Sequence, residues 1–240
     1  ILKSYYSKKA DIDYKNIVSV SIMPCTAKKY EAHREEFSKS GVRDVDIVIT
    51  TRELLRLIKE TGINFDNIPS SDFDNLLGIS SGAANIFGAS GGVMEAALRT
   101  AYEKITGYDL KALDFYEVRG TNDFKEAAID LNGKEIKVAV VNGIKNVDIL
   151  LNKIKNGENY CFVEVMCCPG GCIGGGGQPY NIDESSELIN KMKKIYSIDK
   201  NKIIRKSHEN PNIIKIYNEY LGEPGSHKAE ELLHTKYFKR

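Results

Sequence analysis

The chain has 240 residues, of which 34 are lysine or arginine and 33 are aspartate or glutamate, so its net charge is +1. This balance excludes neither enzyme nor structural roles, but it does not indicate a nucleic-acid or membrane-surface partner. No apolar run approaches the roughly 18 residues that would predict a membrane span. The five cysteines, an odd number, favour metal ligation in a reducing compartment over a disulfide framework.

The first chemically distinctive stretch follows an apolar run at residues 17–23. The run predicts a strand, and Cys25 comes directly after its expected end. Open α/β sheets bind ligands at such carboxyl ends, so the Cys25 thiol is a candidate ligand. Lys28 follows three residues later, where its ammonium could reach an anionic group above that sulfur. Taken alone, Lys28 would be a solvated surface lysine.

Strand and helix patterns then alternate. A β-branched run at residues 45–50 predicts a strand, and Thr51 can cap the helix that follows. A small-residue loop at 80–92 carries Phe87 and leads into a predicted helix at 93–105. We disfavour a phosphate-binding loop, because there is no G-x-x-x-x-G-K pattern and no strand leads directly into G-x-G-x-x-G. The βα order favours parallel strands with helical crossovers.

The second half predicts further strands, at residues 115–119, 127–131, 135–141 and 161–166. Asn132-Gly133 is a strong signal for a hairpin turn between two of them. Residues 147–155 predict a short helix. Beyond Tyr180 the chain becomes charged and helical, with one helix between Pro211 and Gly222 and a short final helix at 231–237.

A second sulfur-bearing motif follows the strand at 161–166. If the chain coils after Pro169, Cys168 and Cys172 would share one side of a helical turn. The glycines at 174–177 would let backbone N–H groups approach a bulky anion, and an iron–sulfur cluster fits that description. The alternatives are a zinc site, small buried cysteines, or a flexible glycine linker. These alternatives are less favoured because Cys25 also follows a predicted strand, which gives two sulfur sites placed in the same way.

The two motifs carry a family resemblance. Met23-Pro-Cys-Thr-x-Lys-Lys-x-Glu31 and Glu164-x-Met-x-Cys-x-Gly-Gly-Cys-x-x-Gly-Gly-Gly-Gln-Pro179 resemble the second and third signature segments of the iron-iron hydrogenases. Ser207-His-Glu-Asn210 and the segment Leu232-Leu-His-Thr-Lys-Tyr237 resemble a carboxyl-terminal segment that some members carry as a separate small subunit. The resemblance therefore extends over essentially the whole chain.

The resemblance implies a metal site. Cys25, Cys168 and Cys172 would bind a 4Fe-4S cubane, and Cys172 would also bridge to a diiron unit. That unit, which with the cubane forms the H-cluster, carries carbon monoxide, cyanide and a bridging dithiolate amine.

The resemblance also implies roles around the diiron unit. Lys28 matches a lysine that donates to a cyanide, which would be a charge-assisted contact. Met23, Met166 and Phe87 match residues packed around the unit, where they would exclude water. The other interpretation of the two methionines is a plain core role.

The implied function is reversible reduction of protons to dihydrogen, as in a ferredoxin-type hydrogenase in the cytoplasm of an anaerobe. Electrons would come from ferredoxin or a similar carrier, and maturation proteins would be needed. The expected fold is α/β, with mainly parallel strands and flanking helices in two lobes and one hairpin. Residues 1–182 would form the H-cluster domain and residues 183–240 the helical, small-subunit-like segment.

Two departures from the family pattern leave alternatives open. The family's first signature segment, Thr-Ser-Cys-Cys-Pro, is not in this sequence, so we expect an upstream part of the protein or a partner chain to supply the fourth cubane ligand. Cys167 stands where active members commonly have alanine, and is either inert or a second thiol near the diiron unit. The alternative functions are a hydrogen sensor with slow turnover and a non-catalytic iron–sulfur protein, like the cytosolic assembly factors.

Overall fold

The computed structural model describes residues 1–38, 41–74, 76–180 and 183–235. It divides into two compact units. The first comprises Ile1–Ile79, Gly177–Pro179 and Pro211–Arg240, and the second comprises Ser80–Gly176 and Tyr180–Asn210. Each unit is built from separate stretches of chain, and a family-segment boundary near residue 183 stays a prediction. Among the described residues, none of the helices combines the length and apolar character that crossing a bilayer requires.

The fold is mixed α/β, as predicted. Within the described residues, the strands are β1 (Val20–Met23), β2 (Ile47–Thr50), β3 (Phe124–Leu131), β4 (Lys134–Asn142) and β5 (Phe162–Met166). The α-helices in the same ranges are α1 (Ser7–Lys9), α2 (Ala27–Glu31), α3 (Thr51–Glu60), α4 (Gly82–Ile86), α5 (Gly92–Thr106), α6 (Val147–Lys155), α7 (Glu184–Lys200), α8 (Pro211–Ile216) and α9 (His227–Leu233).

In the first unit, β1 and β2 form a parallel pair, with Met23 opposite Thr50. The cap of α3 is Thr50, one residue before the predicted Thr51. The Glu53 N–H donates to the Thr50 hydroxyl at 3.2 Å, and the Thr50 N–H donates to the Glu53 carboxylate at 2.7 Å. Glu53 stands three residues after Thr50, which is the spacing that such a reciprocal box requires. The start of the helix is thereby fixed directly at the end of β2.

The carboxyl-terminal helices of the first unit pack through Ile216, Leu221 and Ala229 onto Tyr5. The helical stretch begins at Pro211 and ends before Gly222, whose φ is +78°, as the sequence predicts. The final helix begins earlier than predicted, at His227, because the Ser226 hydroxyl caps it by accepting from the Ala229 N–H at 3.2 Å. The helix ends at Leu233, since His234 has an extended backbone, so the predicted extension to residue 237 is wrong, although residues 236–237 themselves lie outside the described residues.

In the second unit, β3 and β4 form an antiparallel hairpin and β4 pairs with β5 in parallel, giving the order β3-β4-β5. The hairpin prediction is confirmed. Asn132 and Gly133 have φ values of +57° and +86°, and a type I′ turn needs positive φ at both positions. Met94 and Leu98 of α5 pack on this sheet with Val138 and Val140.

The predicted strand at 115–119 is wrong. Tyr116–Val118 forms a single 3₁₀ turn instead. Val118 is fully buried in the core, whereas Arg119 donates to Glu95 of α5 at 2.7 Å. These tertiary contacts override the weak β propensity of a five-residue run.

β3 begins at Phe124, three residues before the predicted start at 127. The inward positions of this strand are Lys125, Ala127, Ile129 and Leu131. A lysine in an inward position interrupts the apolar alternation on which the prediction depended. The structure therefore adds a buried cation that sequence reasoning missed.

Candidate cysteine-ligand site

The first unit holds the Cys25 motif. Cys25 follows Pro24 just beyond the end of β1, and the Gly177 N–H donates to the Pro24 carbonyl at 3.0 Å. The Arg52 N–H donates in turn to the Gly177 carbonyl at 3.1 Å. A Cβ on Gly177 would lie 2.9 Å from the Cys25 backbone nitrogen, so the chain can pass here only without a side chain. The last glycine of the glycine run therefore lies beside the Cys25 loop.

Lys28 and Met23 line one cavity of about 150 Å³ in the first unit. Glu31 also lines it and forms an ion pair with Lys28, three residues earlier on α2. Of the predicted residues, the structure thus brings Met23 and Lys28 together, near the end of the strand that Cys25 follows. An anionic group in this cavity could bind the Lys28 ammonium only in competition with the Glu31 carboxylate.

The second unit holds Cys168 and Cys172. The prediction of a helical turn between them is wrong. The Gly171 N–H donates to the Cys168 carbonyl at 3.0 Å, which closes a β-turn with Pro169 and Gly170 at its centre. Gly170 and Gly171 have φ values of +77° and +93°, which a right-handed helix does not allow. Proline followed by a glycine of positive φ is the sequence of a type II turn.

Main-chain hydrogen bonds fix this turn on both sides. The Gly143 and Ile144 N–H groups, just after β4, donate to the Met166 and Cys167 carbonyls at 2.8 and 3.0 Å. The Ile173 N–H donates to the Gly88 carbonyl at 3.0 Å.

The hydrogen bond from Ile173 to Gly88 places the Phe87 loop beside the cysteine-bearing turn, since Gly88 directly follows Phe87. Phe87 is largely exposed at the end of α4. Phe87, Met166, Cys168 and Cys172 therefore belong to one neighbourhood of the second unit. Whether Cys25 joins the other two cysteines stays a prediction.

Two buried charged residues, Glu164 and Lys125, contact the segment that begins at Ser90. Glu164 of β5 accepts from the Gly91 and Met94 N–H groups at 2.6 and 2.8 Å. Burial raises the pKa of Glu164, although these hydrogen bonds oppose the rise. Burial also lowers the pKa of Lys125 to about 8, against the attraction of Glu164. Sequence reasoning placed Glu164 only within the motif and missed Lys125. The available signal was a charged residue in step with Ala127 and Ile129 on the inward side of a strand.

The titration of Lys125 predicts a pH dependence of stability. Its folded pKa of about 8 lies below the ordinary 10.5, so between these pH values the unfolded chain binds more protons than the folded one. The free energy of unfolding should therefore rise from pH 8 to 9.5, by about 1–2 kcal/mol relative to Lys125→Met. Urea unfolding of both proteins at the two pH values measures this.

Lys137→Met is the matched control for that experiment. Lys137 lies on the neighbouring strand β4, and a hydrogen bond from its ammonium to Glu158 raises its pKa. It should not titrate in this window. Equal pH responses of Lys125→Met and the wild type would show that Lys125 is not desolvated as described. Glu164, the charged group that faces Lys125, remains unchanged in all three proteins.

The donor set fits an iron–sulfur cluster. None of the five cysteines, all within the described ranges, forms a disulfide. Cys25 and Cys168 are half-buried and Cys172 is exposed, so their thiols are accessible to a metal. Soft thiolates beside glycine backbone, whose N–H groups can donate to sulfur, suit iron–sulfur chemistry. A Cβ on Gly174 would lie 2.2 Å from the Pro169 carbonyl oxygen, which shows how closely the backbone folds around this turn.

The buried carboxylates of the second unit do not form a comparable metal site. Glu95, Asp114 and Asp199 lie close together. Each of them is bonded to arginine, since Arg99 and Arg205 donate to Asp199 at 2.8 and 2.6 Å, and Arg119 donates to Glu95 and to Asp114 at 2.6 and 2.7 Å. The guanidinium groups balance the negative charge, so this cluster is structural.

Thiols placed after two strand ends, beside glycine-rich backbone in an α/β fold, are an arrangement that suits a cysteine-ligated metal site. Residues 1–176 match the family described as the iron only hydrogenase large subunit, C-terminal domain. Residues 181–240 match the iron hydrogenase small subunit. The chain belongs to the iron-only hydrogenase family.

Individual proteins agree with this assignment. The chain is 51% identical over 240 residues to the NADP-reducing hydrogenase subunit HndD of Solidesulfovibrio fructosivorans, matching all of this chain and 41% of that protein. The structure of an apo FeFe-hydrogenase HydA1 variant from Chlamydomonas reinhardtii aligns with a TM-score of 0.82 at 42% identity, over 98% of this chain and 66% of that one. The mouse cytosolic iron-sulfur assembly component 3 is 32% identical, over 99% of this chain and 51% of that protein.

Proposed function

We propose that this chain forms part of the catalytic unit of an iron-only hydrogenase, which reversibly reduces protons to dihydrogen. The observation that carries the proposal is the hydrogen-bonded contact between the Phe87 loop and the turn bearing Cys168 and Cys172. Two motifs about eighty residues apart in the sequence meet there through main-chain bonds, among them that from Ile173 to Gly88. In the first unit, Met23 and Lys28 line one cavity, which adds support.

Each residue has a distinct role in this proposal. Cys25, Cys168 and Cys172 would hold the 4Fe-4S cubane, with Cys172 also ligating the diiron unit. The H-cluster, when bound, supplies the electron-transfer and hydrogen chemistry through its cubane and its diiron unit with carbon monoxide, cyanide and a dithiolate amine. The protein supplies ligation, charge and exclusion of water.

The remaining residues would shape the pocket. The Lys28 ammonium would donate to a cyanide, a charge-assisted bond that holds the anionic ligand in one orientation. Met23, Met166 and Phe87 would exclude water without competing as strong donors.

Several components would come from outside this chain. It spans about two fifths of the HndD protein, so an upstream segment or partner chain would supply the fourth cysteine ligand. Maturation proteins would install the diiron unit, and ferredoxin or a similar carrier would exchange electrons with the cubane. A cytoplasmic location in an anaerobe belongs to the same proposal.

The second candidate is a non-catalytic iron–sulfur protein, which the match to the mouse assembly component favours. Lys28 and the intact segment Gly175–Pro179 argue for the hydrogenase, as does the higher identity to HndD. The exposed Cys167 beside the ligand turn keeps a hydrogen sensor with slow turnover as a further alternative. Infrared bands of carbon monoxide and cyanide would identify the diiron unit. Hydrogen evolution with a reduced dye separates fast enzyme from slow sensor.

Cys172→Ala tests the ligand assignment. We expect the variant to lose the carbon monoxide and cyanide bands and all hydrogen evolution, because it lacks the thiolate that would ligate both metal units, whereas part of the cubane iron should remain. Cys161→Ala is the control, since Cys161 is an exposed thiol just before β5 with no proposed ligand role. Full activity in Cys172→Ala would show that the assignment is wrong.

A further inference from the structure

The peptide groups of Gly170, at the centre of the turn between Cys168 and Cys172, are held from both sides. The Gly170 N–H donates to Asn142 Oδ1 at 2.6 Å, and the Gly170 carbonyl accepts from the Ser90 N–H at 2.9 Å. Both bonds reach across the fold from other elements. Asn142 and Ser90 therefore set the orientation of the two peptide groups of Gly170. The same bonds fix the course of the chain between the two thiols.

Asn142 is itself held rigidly. It is the last residue of β4 and only 4% exposed. Its Nδ2 donates to the Thr121 carbonyl at 2.7 Å, and its own carbonyl accepts from Asn146 Nδ2 at 2.6 Å. With its amide bonded at both ends, the side chain has one orientation, in which Oδ1 faces Gly170. A buried amide whose nitrogen and oxygen are both hydrogen-bonded keeps one orientation, so the Gly170 N–H that it binds is also held in place.

Ser90 is held by Lys125. The Lys125 ammonium lies 3.2 Å from the Ser90 hydroxyl and 3.3 Å from the Ser90 carbonyl, and it donates to the Gly120 carbonyl at 2.8 Å. An ammonium has three protons, and all three have acceptors here. On the other side, the Glu164 carboxylate accepts from the next N–H in the chain, that of Gly91, at 2.6 Å. Ser90 and Gly91 are thus fixed between a buried cation and a buried anion.

We propose that Asn142 and Lys125 are positioning residues for the cysteine pair, with Asn142 acting directly on Gly170 and Lys125 acting through Ser90. The proposal rests on the proposed function, in which Cys168 and Cys172 ligate the cubane. A charged lysine with only 5% of its surface exposed is costly to bury, and an apolar residue would fill the core without that cost. Packing alone therefore does not explain a lysine at this position, whereas the contacts of its ammonium with Ser90 do.

The test uses the whole protein as its source produces it, with its cubane in place. In Asn142→Ala the cubane should be lost to an iron chelator about 10–100-fold faster than in the wild type, which is the factor by which removing a supporting group typically weakens metal affinity. The reduced cubane should also show altered g values in electron paramagnetic resonance. Asn159→Ala, at an exposed asparagine of the same unit, should change neither.

Asn142→Leu is the second variant. Leucine fills the volume of the asparagine side chain but offers no acceptor to the Gly170 N–H, so we expect the same faster cubane loss and altered g values as in Asn142→Ala. If Asn142→Ala does not fold, this variant decides, because wild-type loss rates and g values in a folded Asn142→Leu protein would overturn the proposal. Wild-type loss rates and g values in a folded Asn142→Ala protein would overturn it equally.

Lys125→Met tests the second positioning residue. Removing a buried cation should shift the cubane's reduction potential to more negative values and speed chelation, whereas Lys137→Met should do neither. An unchanged potential and loss rate would remove Lys125 from the proposal. Failure of the proposed function looks different, since a wild-type protein without cluster iron, sulfide or a resonance signal would carry no cubane at all.

Discussion

Arg99→Met should destabilise the protein by about 3–5 kcal/mol, because it removes the guanidinium that two fully buried carboxylates share and leaves Glu95 only Arg119 and Asp199 only Arg205 as a counterion. Arg99 donates to Glu95 at 2.6 Å and to Asp199 at 2.8 Å through two parallel bonds, and all three side chains are 0% exposed. Burial acts to raise the pKa of Asp199, but hydrogen bonds from Arg99 and Arg205 outweigh it and lower that pKa. Urea unfolding at neutral pH measures the loss.

Arg56→Met provides the matched control. Arg56 pairs with Glu60 at 2.6 Å, and the two are four residues apart on a helix, as Glu95 and Arg99 are. Its side chain is 78% exposed, so water replaces the lost pair and the expected cost is below about 1 kcal/mol. Similar costs in the two variants would contradict the claim that burial makes the Arg99 network critical.

Gly171→Ala should disrupt the turn between Cys168 and Cys172 and, under the proposed function, prevent the cubane from binding. Gly171 has a φ of +93°, and its new Cβ would lie 2.7 Å from the Ser90 nitrogen and 2.8 Å from the Gly88 oxygen. Because both atoms belong to the backbone, neither can move aside without displacing the Phe87 loop. We expect an unfolding cost of about 1–3 kcal/mol from overpacking alone, together with loss of most cluster iron.

The control for Gly171→Ala is Gly157→Ala. Gly157 has a nearly identical φ of +96°, but a Cβ there meets no atom within 4 Å. Gly157→Ala incurs strain from its positive φ without a steric contact. Gly171 also has a ψ of −161°, a backbone conformation that is essentially restricted to glycine, so the difference between the variants reports this strain together with the contacts with Ser90 and Gly88. Unfolding curves and iron content for the two proteins give that difference. Gly171→Ala with the iron content and stability of Gly157→Ala would contradict the tight contact.

Elements with strong local patterns were predictable. The helix at 147–155 and the turn at Asn132-Gly133 depend on periodicity and on φ preferences that neighbouring residues carry. The strand predicted at 115–119 failed because contacts distant in sequence, such as that of Arg119 with Glu95, decide its conformation. Lys125 was missed because its charge interrupts the apolar alternation, although its position in step with Ala127 and Ile129 was a signal of an inward side chain.

The candidate site divides in the same way. The cysteines, Lys28, Met23, Met166 and Phe87 could be predicted as site residues because the family resemblance rests on contiguous motifs. The hydrogen bonds that hold the ligand turn were not, since those from Ser90 and Asn142 to Gly170 span 80 and 28 residues of chain. A hydrogen bond between two main-chain groups also requires no particular residue type, so the sequence does not indicate it. Proline and two glycines at 169–171 permit several backbone courses, and only the partners of Gly170 select one.

The meeting of Gly171 with Ser90 and Gly88 is a contact between two main chains, and this determines how such a site can change over evolutionary time. Where side chains meet, a protein can drift through many small replacements, each compensated by a neighbour. Two apposed backbones have no such graded adjustments, and an insertion or deletion in either loop would misalign every bond between them together. An insertion or deletion in either loop should therefore disturb this site more than a replacement of the residues beside the glycines.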